Sequence, residues 1–485
     1  MGLSKGKEMK RKLSLLLDLR PALHGYAGIP QEARLLFKGF CLNDELSLEG
    51  FLQMQDTSLA PGIFAAENSP AEVWETAKRF HSLAQVIISV SEGGYSKKQT
   101  VLEVVRDWIG RRTRRLKLVY GTVSLALGEF ETRYFEDFVW RYLFSKTLQP
   151  SDFALVTSKN HRVCTLSWEH MQEDGLDTLS MISSPKYPVV DTSGYDIFIA
   201  HTPYPGRVSP GTTMVIRYHD AIPVFLPHTI AGKWKHEAFH FYALMSNVES
   251  GAWFSCVSEA SRQELLRIFP EAASRTVTIH NMVSDEYFEE DSKYEDVRKI
   301  IPLRRSLLFD GFDEHSMERK GIIPTFRSTS EAGLFSDNAL NNKFRYLLVV
   351  ATIDPRKNHA ACIAAWQILK RNQDPSLKLI FVGSLGWDYG SLKKDIAYEL
   401  ARGELFILDG VPARELRVLY RHASATVCPS VSEGFDFSGV EAMRSGGVVV
   451  ASDIPVHREV YKDAAEYFDP YSVESAVKAL LNVVY

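Results

Sequence analysis

Apolar residues along this chain fall into short runs of four to eight, separated by amphipathic stretches of ten to fifteen residues, the rhythm of strands alternating with crossover helices. The clearest example is near the carboxyl end. Ala425 to Cys428 is an apolar run stopped by Pro429, Val448 to Ala451 is another after Gly446-Gly447, and a helical period lies between them. This predicts strand, loop, helix, turn, strand. The same alternation predicts strands at 344–351, 377–382 and 405–408, with helices at 357–371, 392–402 and 412–421. Earlier, Leu13 to Leu17 predicts a first buried strand, followed by a glycine loop (Gly25, Gly28) and a helix to about Phe40. Further strands are expected at 195–200, 213–217, 253–257 and 277–279, with Ser258 as a helix N-cap. Between 72–90 and 100–118 the period switches between helix-like and strand-like, which predicts more α/β units. Charge, Ser, Asn and Gly replace sustained periods after Asp285.

These patterns predict an α/β protein of two Rossmann-like, doubly wound domains facing a central cleft. The expected boundaries are 1–295 for the first domain, 296–343 for a linker or insertion, and 344–485 for the second.

In such sheets ligands sit beyond the carboxyl ends of strands, so residues just past those ends are the candidates for chemistry. Glu433 follows one predicted strand, and Glu441, expected at the start of the next helix, can face the same crevice. Arg356 and Lys357 follow another strand at a helix start, where two cations join a positive dipole end. His219-Asp220 ends a third strand, before Pro223. Gly28 lies in a loop that lets backbone amides approach a phosphate. Val411 likewise lies just past a strand.

Composition excludes more than it assigns. Fifty-six Lys+Arg against 60 Asp+Glu, a net charge of -4, argues against a nucleic-acid binder. The five cysteines have no metal-ligand spacing and read as buried thiols of a reducing compartment. The basic start, with an apolar run broken by Asp18, is not expected to act as a signal peptide, and no run is long enough to span a bilayer. The expected location is cytoplasmic, with peripheral attachment to the inner face of the plasma membrane through Arg111, Arg112, Arg114, Arg115 and Lys117 beside Trp108 weighed against a solvated basic face. The aromatic stripe 134–144 is expected to be core.

Taken together, Ser432-Glu433-Gly434-Phe435 with Glu441-Ala442-Met443, the loop Asp354 to His359, Gly28-Ile29, His219-Asp220 and Val257 to Ser261 resemble, in order and spacing, retaining nucleotide-sugar-dependent glycosyltransferases of the GT-B fold, family four. The resemblance implies that Glu441 holds the donor ribose, and that Glu433 with Gly434, Phe435 and Asp436 orients the donor sugar. It implies that Arg356 and Lys357 take the diphosphate without a metal cofactor, and that His219 and Asp220 stand near the reacting sugar. The implied activity is transfer of a hexose, mannose from GDP-mannose (or another hexose from a UDP-hexose), to a polysaccharide or lipid-linked glycan. Two alternatives stay open: a sugar or sugar-phosphate synthase with a soluble acceptor, and a catalytically silent subunit of a polysaccharide assembly complex. Three departures stand out. Asp436-Phe437-Ser438 replaces the family's Gly-Leu-Pro, which places Asp436 beside the sugar; Thr352 replaces a basic residue; and the sequence stops at Tyr485, where the resemblance leads one to expect a crossover helix.

Overall fold

The structure is a computed structural model that describes residues 11–23, 25–26, 28–55, 58–59, 74–91, 101–305, 340, 344–386 and 390–485. The chain divides into two compact units. The first comprises 1–219, 234–257 and 262–282; the second comprises 220–233, 258–261 and 283–485.

The first unit contains β1 (Leu13–Asp18), β2 (Leu46–Gln53), β3 (Ser124–Leu125), β4 (Leu127–Phe130), β5 (His161–Cys164), β6 (Val189–Val190), β7 (Ile197–Ala200), β8 (Arg207–Val208), β9 (Thr213–Tyr218), β10 (Trp253–Cys256) and β11 (Thr276–Thr278). Eight of them form one sheet in the order β11-β10-β9-β7-β1-β2-β5-β4, parallel throughout except for β4 against β5. The chain leaves β1 toward β2 and later returns to its other side with β7, so the switch point lies between β1 and β7. Leu15 and Leu17 point into a core with Phe37, Leu52 and Phe144, while Leu16 is buried on the opposite face. Burial on both faces is why these strands read as continuous apolar runs.

The second unit contains β12 (Tyr346–Val350), β13 (Lys378–Val382), β14 (Leu405–Leu408), β15 (Ala425–Cys428), β16 (Val449–Ser452) and β17 (Ala465–Phe468). They form a six-stranded parallel sheet in the order β14-β13-β12-β15-β16-β17, with its switch point between β12 and β15. Leu347 and Val349 pack on one face with Trp366, whereas Tyr346 and Leu348 pack on the other with Tyr420 and Tyr461. The Trp366 indole N–H donates to the Leu377 carbonyl at 3.0 Å, so this large buried ring leaves no donor unsatisfied.

Four expectations need correction. The stretch 72–118 supplies no strand among its described residues; it forms two helices, Trp74–Ser91 and Val101–Tyr120. The expected linker begins with a helix, Tyr294–Arg304, because Tyr294, Val297, Ile300 and Ile301 recur at helical spacing and pack into the second unit's core. Residues 306–339 and 341–343 of that linker lie outside the described residues. The boundary at 295 is also displaced, since residues from Val283 onward pack with the second unit. Finally, Arg111 pairs with Glu173 and Asp177, and Arg114 with Asp174, all carboxylates of the helix Trp168–Asp177. These two cations of the basic stretch are neutralised within the unit, while the Trp108 side chain lies outside the described residues.

Candidate functional site

In the second unit the segments following β12 and β15 are neighbours because those strands flank the switch point. Past β12 the chain makes a 3-10 turn, Pro355–Lys357, whose N-cap Asp354 accepts from the Lys357 N–H. Asn358 then takes the left-handed conformation, φ 53°, ψ 37°, and the helix His359–Asn372 begins. The basic pair therefore precedes that helix rather than lying in its first turn. Past β15, the Val431 N–H donates to the Arg356 carbonyl at 3.0 Å, fastening the two loops together.

The two loops meet at one carboxylate. Arg356 Nη1 donates to Glu433 Oε2 at 2.7 Å and to the Ser432 carbonyl at 2.9 Å, and Lys357 Nζ donates to Glu433 Oε1. Burial opposes ionisation of Glu433, but Arg356 and Lys357 outweigh it and hold the carboxyl below its usual range. Burial likewise works against the charge on Arg356, and Glu433, Asp354 and Asp220 more than restore it. Glu433 is thus an anion bracketed by two cations, and Asp220 adds negative charge in the same neighbourhood.

Glu441 lies in the middle of the helix Phe437–Arg444, not at its start. It is buried and accepts from the Tyr420 hydroxyl at 3.2 Å, with Tyr287 also bonded to it. Gly434 offers its carbonyl to the Ser258 hydroxyl at 2.8 Å, so Ser258 ties this loop down as well as capping its own helix. The amides of Glu259 and Ala260 donate to Glu459. Phe435 stacks edge-on against Phe437, and the Val411 side chain packs on the core.

Asp436 departs from expectation. Its side chain is buried, caps the helix through Ser438 N–H at 3.0 Å, accepts from the Ser438 hydroxyl at 2.6 Å and lies 3.3 Å from His457 Nε2. All of its oxygens are engaged inside the protein, so its carboxylate is a structural group rather than a sugar-facing one. His457 gave no signal in the sequence, because a lone His has no period or spacing that marks a partner.

In the first unit, Gly28 takes φ 70° immediately before the helix Ile29–Cys41, a conformation that disfavours any residue with a Cβ, and a Cβ built there would meet nothing within 4 Å. His24 and Ala27 of this loop lie outside the described residues. Arg34, fully buried, donates to the carbonyls of Ala22, Gly25 and Leu143, pinning the loop from behind. His219, past β9, lies 3.2 Å from Glu32 Oε2. Burial, then His201 and Arg217, holds its imidazole well below the usual range, so it is neutral near pH 7. Glu32, Arg217 and His201 were not anticipated; the only legible sign was an acidic residue in the first turn of a predicted helix. The thiols of Cys164 and Cys362 are pushed up to about 12 by burial and are not nucleophiles.

Residues 332–484 match the family described as Glycosyl transferases group 1. Among curated proteins, the chain is 27% identical over 240 residues to O-antigen chain mannosyltransferase B of Escherichia coli, covering 50% of this chain and 53% of that one. It is 34% identical over 174 residues to O-antigen chain mannosyltransferase RfbU of Salmonella typhimurium, covering 34% of this chain and 48% of that one. The chain thus spans about half the length of each of these two relatives. Among solved structures, sucrose-phosphate synthase from Thermosynechococcus elongatus shares the fold with a TM-score of 0.50 at 12% identity, over 98% of this chain and 90% of that one.

Proposed function

Because residues 332–484 are a group 1 glycosyltransferase domain in a chain of GT-B fold, we propose that the protein is a retaining hexosyltransferase that moves mannose from GDP-mannose to a polysaccharide or lipid-linked glycan. The observation that carries this reading is the convergence of Arg356 and Lys357 on Glu433 at the switch point of a doubly wound sheet. The mannose preference is supported by the similarity to two O-antigen chain mannosyltransferases.

In this reading the donor diphosphate shares Arg356 and Lys357 with Glu433. Both cations then stabilise the charge that accumulates on the leaving phosphate in the transition state, without a metal at that point. Glu433 and the amides of Gly434 and Phe435 hold the sugar, and the Glu433 carboxylate stabilises the oxocarbenium-like centre. Attack occurs on the face that the diphosphate leaves, so configuration is retained, and the leaving phosphate takes the acceptor proton. Glu441 receives the ribose hydroxyls, the Val411 backbone meets the base, and Gly28 lets the first unit's backbone come close to phosphate. His219 and Asp220 stand by the reacting hydroxyls. The proposed location is cytoplasmic; no helix among the described residues is long and apolar enough to cross a membrane.

A thermal-shift panel of nucleotide sugars tests the class and the donor together. Stabilisation by GDP-mannose above UDP-glucose and UDP-galactose is expected. No stabilisation by any nucleotide sugar, with the chain folded, overturns the reading.

A further inference from the structure

Polar groups also gather at the switch point of the first unit's sheet. His201 directly follows β7, His219 directly follows β9, and Glu32 lies in the first turn of the helix after β1. One atom from each, two ring nitrogens and a carboxylate oxygen, lie within 4.8 Å of one another. His201 is fully buried, and neither of its ring nitrogens meets a hydrogen-bond partner among the described residues. Glu32 Oε2 is buried as well, 3.2 Å from His219 Nε2 and in no regular hydrogen bond.

Leaving one such polar group bare costs on the order of 1–3 kcal/mol. Buried groups in that state call for a bound water or ion. The donor types narrow the choice. Two imidazoles and one carboxylate form the set that open zinc centres use, and oxygen-seeking magnesium or calcium would not select two ring nitrogens. Ligand atoms about 2.0–2.1 Å from a tetrahedral ion stand roughly 3.3 Å apart, close to the observed His219–Glu32 separation.

The surroundings also orient the carboxylate. Arg217 Nε donates to Glu32 Oε1 at 2.5 Å, which turns Oε2 toward the imidazoles. Arg217 is itself fixed by the Ser255 hydroxyl, the Ile279 carbonyl and Asn281. A hydrogen-bonded carboxylate of this kind is the usual outer support of a metal ligand. Two guanidinium groups stand nearby, Arg217 and Arg20, and their charges are matched by Glu32 and by Asp18, 3.8 Å from Arg20.

We propose that Glu32, His201 and His219 hold one divalent transition-metal cation of the zinc class, leaving a further position for water or a hydroxyl. This site belongs to the first unit and shares His219 with the proposed glycosyl transfer, in which Arg356 and Lys357 of the second unit meet the diphosphate; its occupancy is tested apart from that reaction.

The test uses the full chain, stripped with a chelator and shown to be folded by circular dichroism, then titrated with Co2+ alone and afterwards with Zn2+. One Co2+ per chain is expected, with the visible bands of a four-coordinate site, displaced by one equivalent of Zn2+. His201→Gln and Glu32→Gln should each weaken Co2+ binding by at least about 100-fold, whereas His422→Gln should not. X-ray absorption of the zinc-loaded wild type should count two imidazoles, and it decides the matter even if the variants fail to fold. A folded wild type that takes up no Co2+ or Zn2+ at micromolar concentration, uptake that His201→Gln leaves unchanged, or an absorption spectrum without two imidazoles would mean that water alone fills the cluster and overturns the proposal. Binding is read without any transfer assay, so loss of the glycosyltransferase reading would not disturb this result.

Discussion

His457 Nε2 lies 3.3 Å from Asp436 Oδ2, with both side chains buried in the second unit. The other ring nitrogen, Nδ1, lies 2.9 Å from the Ser452 carbonyl oxygen, which can only accept, so Nδ1 carries a proton. The contact joins the helix Pro455–Tyr461 to the loop that begins at Glu433. Burial raises the Asp436 carboxyl, but His457, Lys357 and Ser438 outweigh it and hold it well below the usual range. A carboxyl depressed on folding adds stability that is complete above its unfolded value, about 4, and is lost as pH falls toward the folded value. Asp436→Asn should therefore cost about 3 kcal/mol at pH 7, and the gap from wild type should narrow below about pH 4. Urea denaturation at both pH values checks this, and a gap independent of pH would count against the pair.

At the centre of the proposed donor site, Glu433→Gln removes the charge that brackets Arg356 and Lys357 and leaves both cations to a diphosphate. GDP affinity should hold or rise, while kcat falls by at least about 100-fold. Arg356→Ala with Lys357→Ala should instead weaken GDP by about 100-fold or more. Calorimetry with GDP, set beside turnover, separates the two outcomes.

Glu441 is expected to meet ribose hydroxyls and not phosphate. Glu441→Gln should weaken GDP about tenfold, one charge-assisted bond, and leave inorganic pyrophosphate affinity unchanged. Equal losses for both ligands would move Glu441 to the phosphate end of the donor.

Arg34 donates to three carbonyls and to the Thr147 hydroxyl without solvent exposure. Arg34→Met keeps much of the volume and strands those acceptors. A loss of about 3 kcal/mol in urea denaturation is expected.

With Arg111 and Arg114 paired to carboxylates of their own unit, anionic vesicles should hold the protein no better than neutral ones at 0.15 M salt. Cosedimentation that rises with anionic lipid would restore the expected membrane face.

Strand positions in the second unit and the switch-point loops were legible because strands buried on both faces must be continuous apolar runs, and because Pro, Gly and Asn mark where they stop. Ala425–Cys428 and Leu405–Leu408 match their predicted spans. So were Glu433, Arg356 and Lys357 as candidates, since residue type and position past a strand are local properties. What a side chain faces is not local. The helix Tyr294–Arg304 carries its apolar residues at readable spacing, yet its assignment to the second unit depends on a core built from residues a hundred positions away. Asp436 looked like a sugar-facing carboxylate until His457, 21 positions on, supplied it a partner in the interior. Glu32 and Arg217, 185 residues apart, meet only because β1, β7 and β9 are adjacent in the sheet. Pattern determined the elements and the chemistry on offer; packing decided which charges are paired in the interior and which are left to meet a ligand.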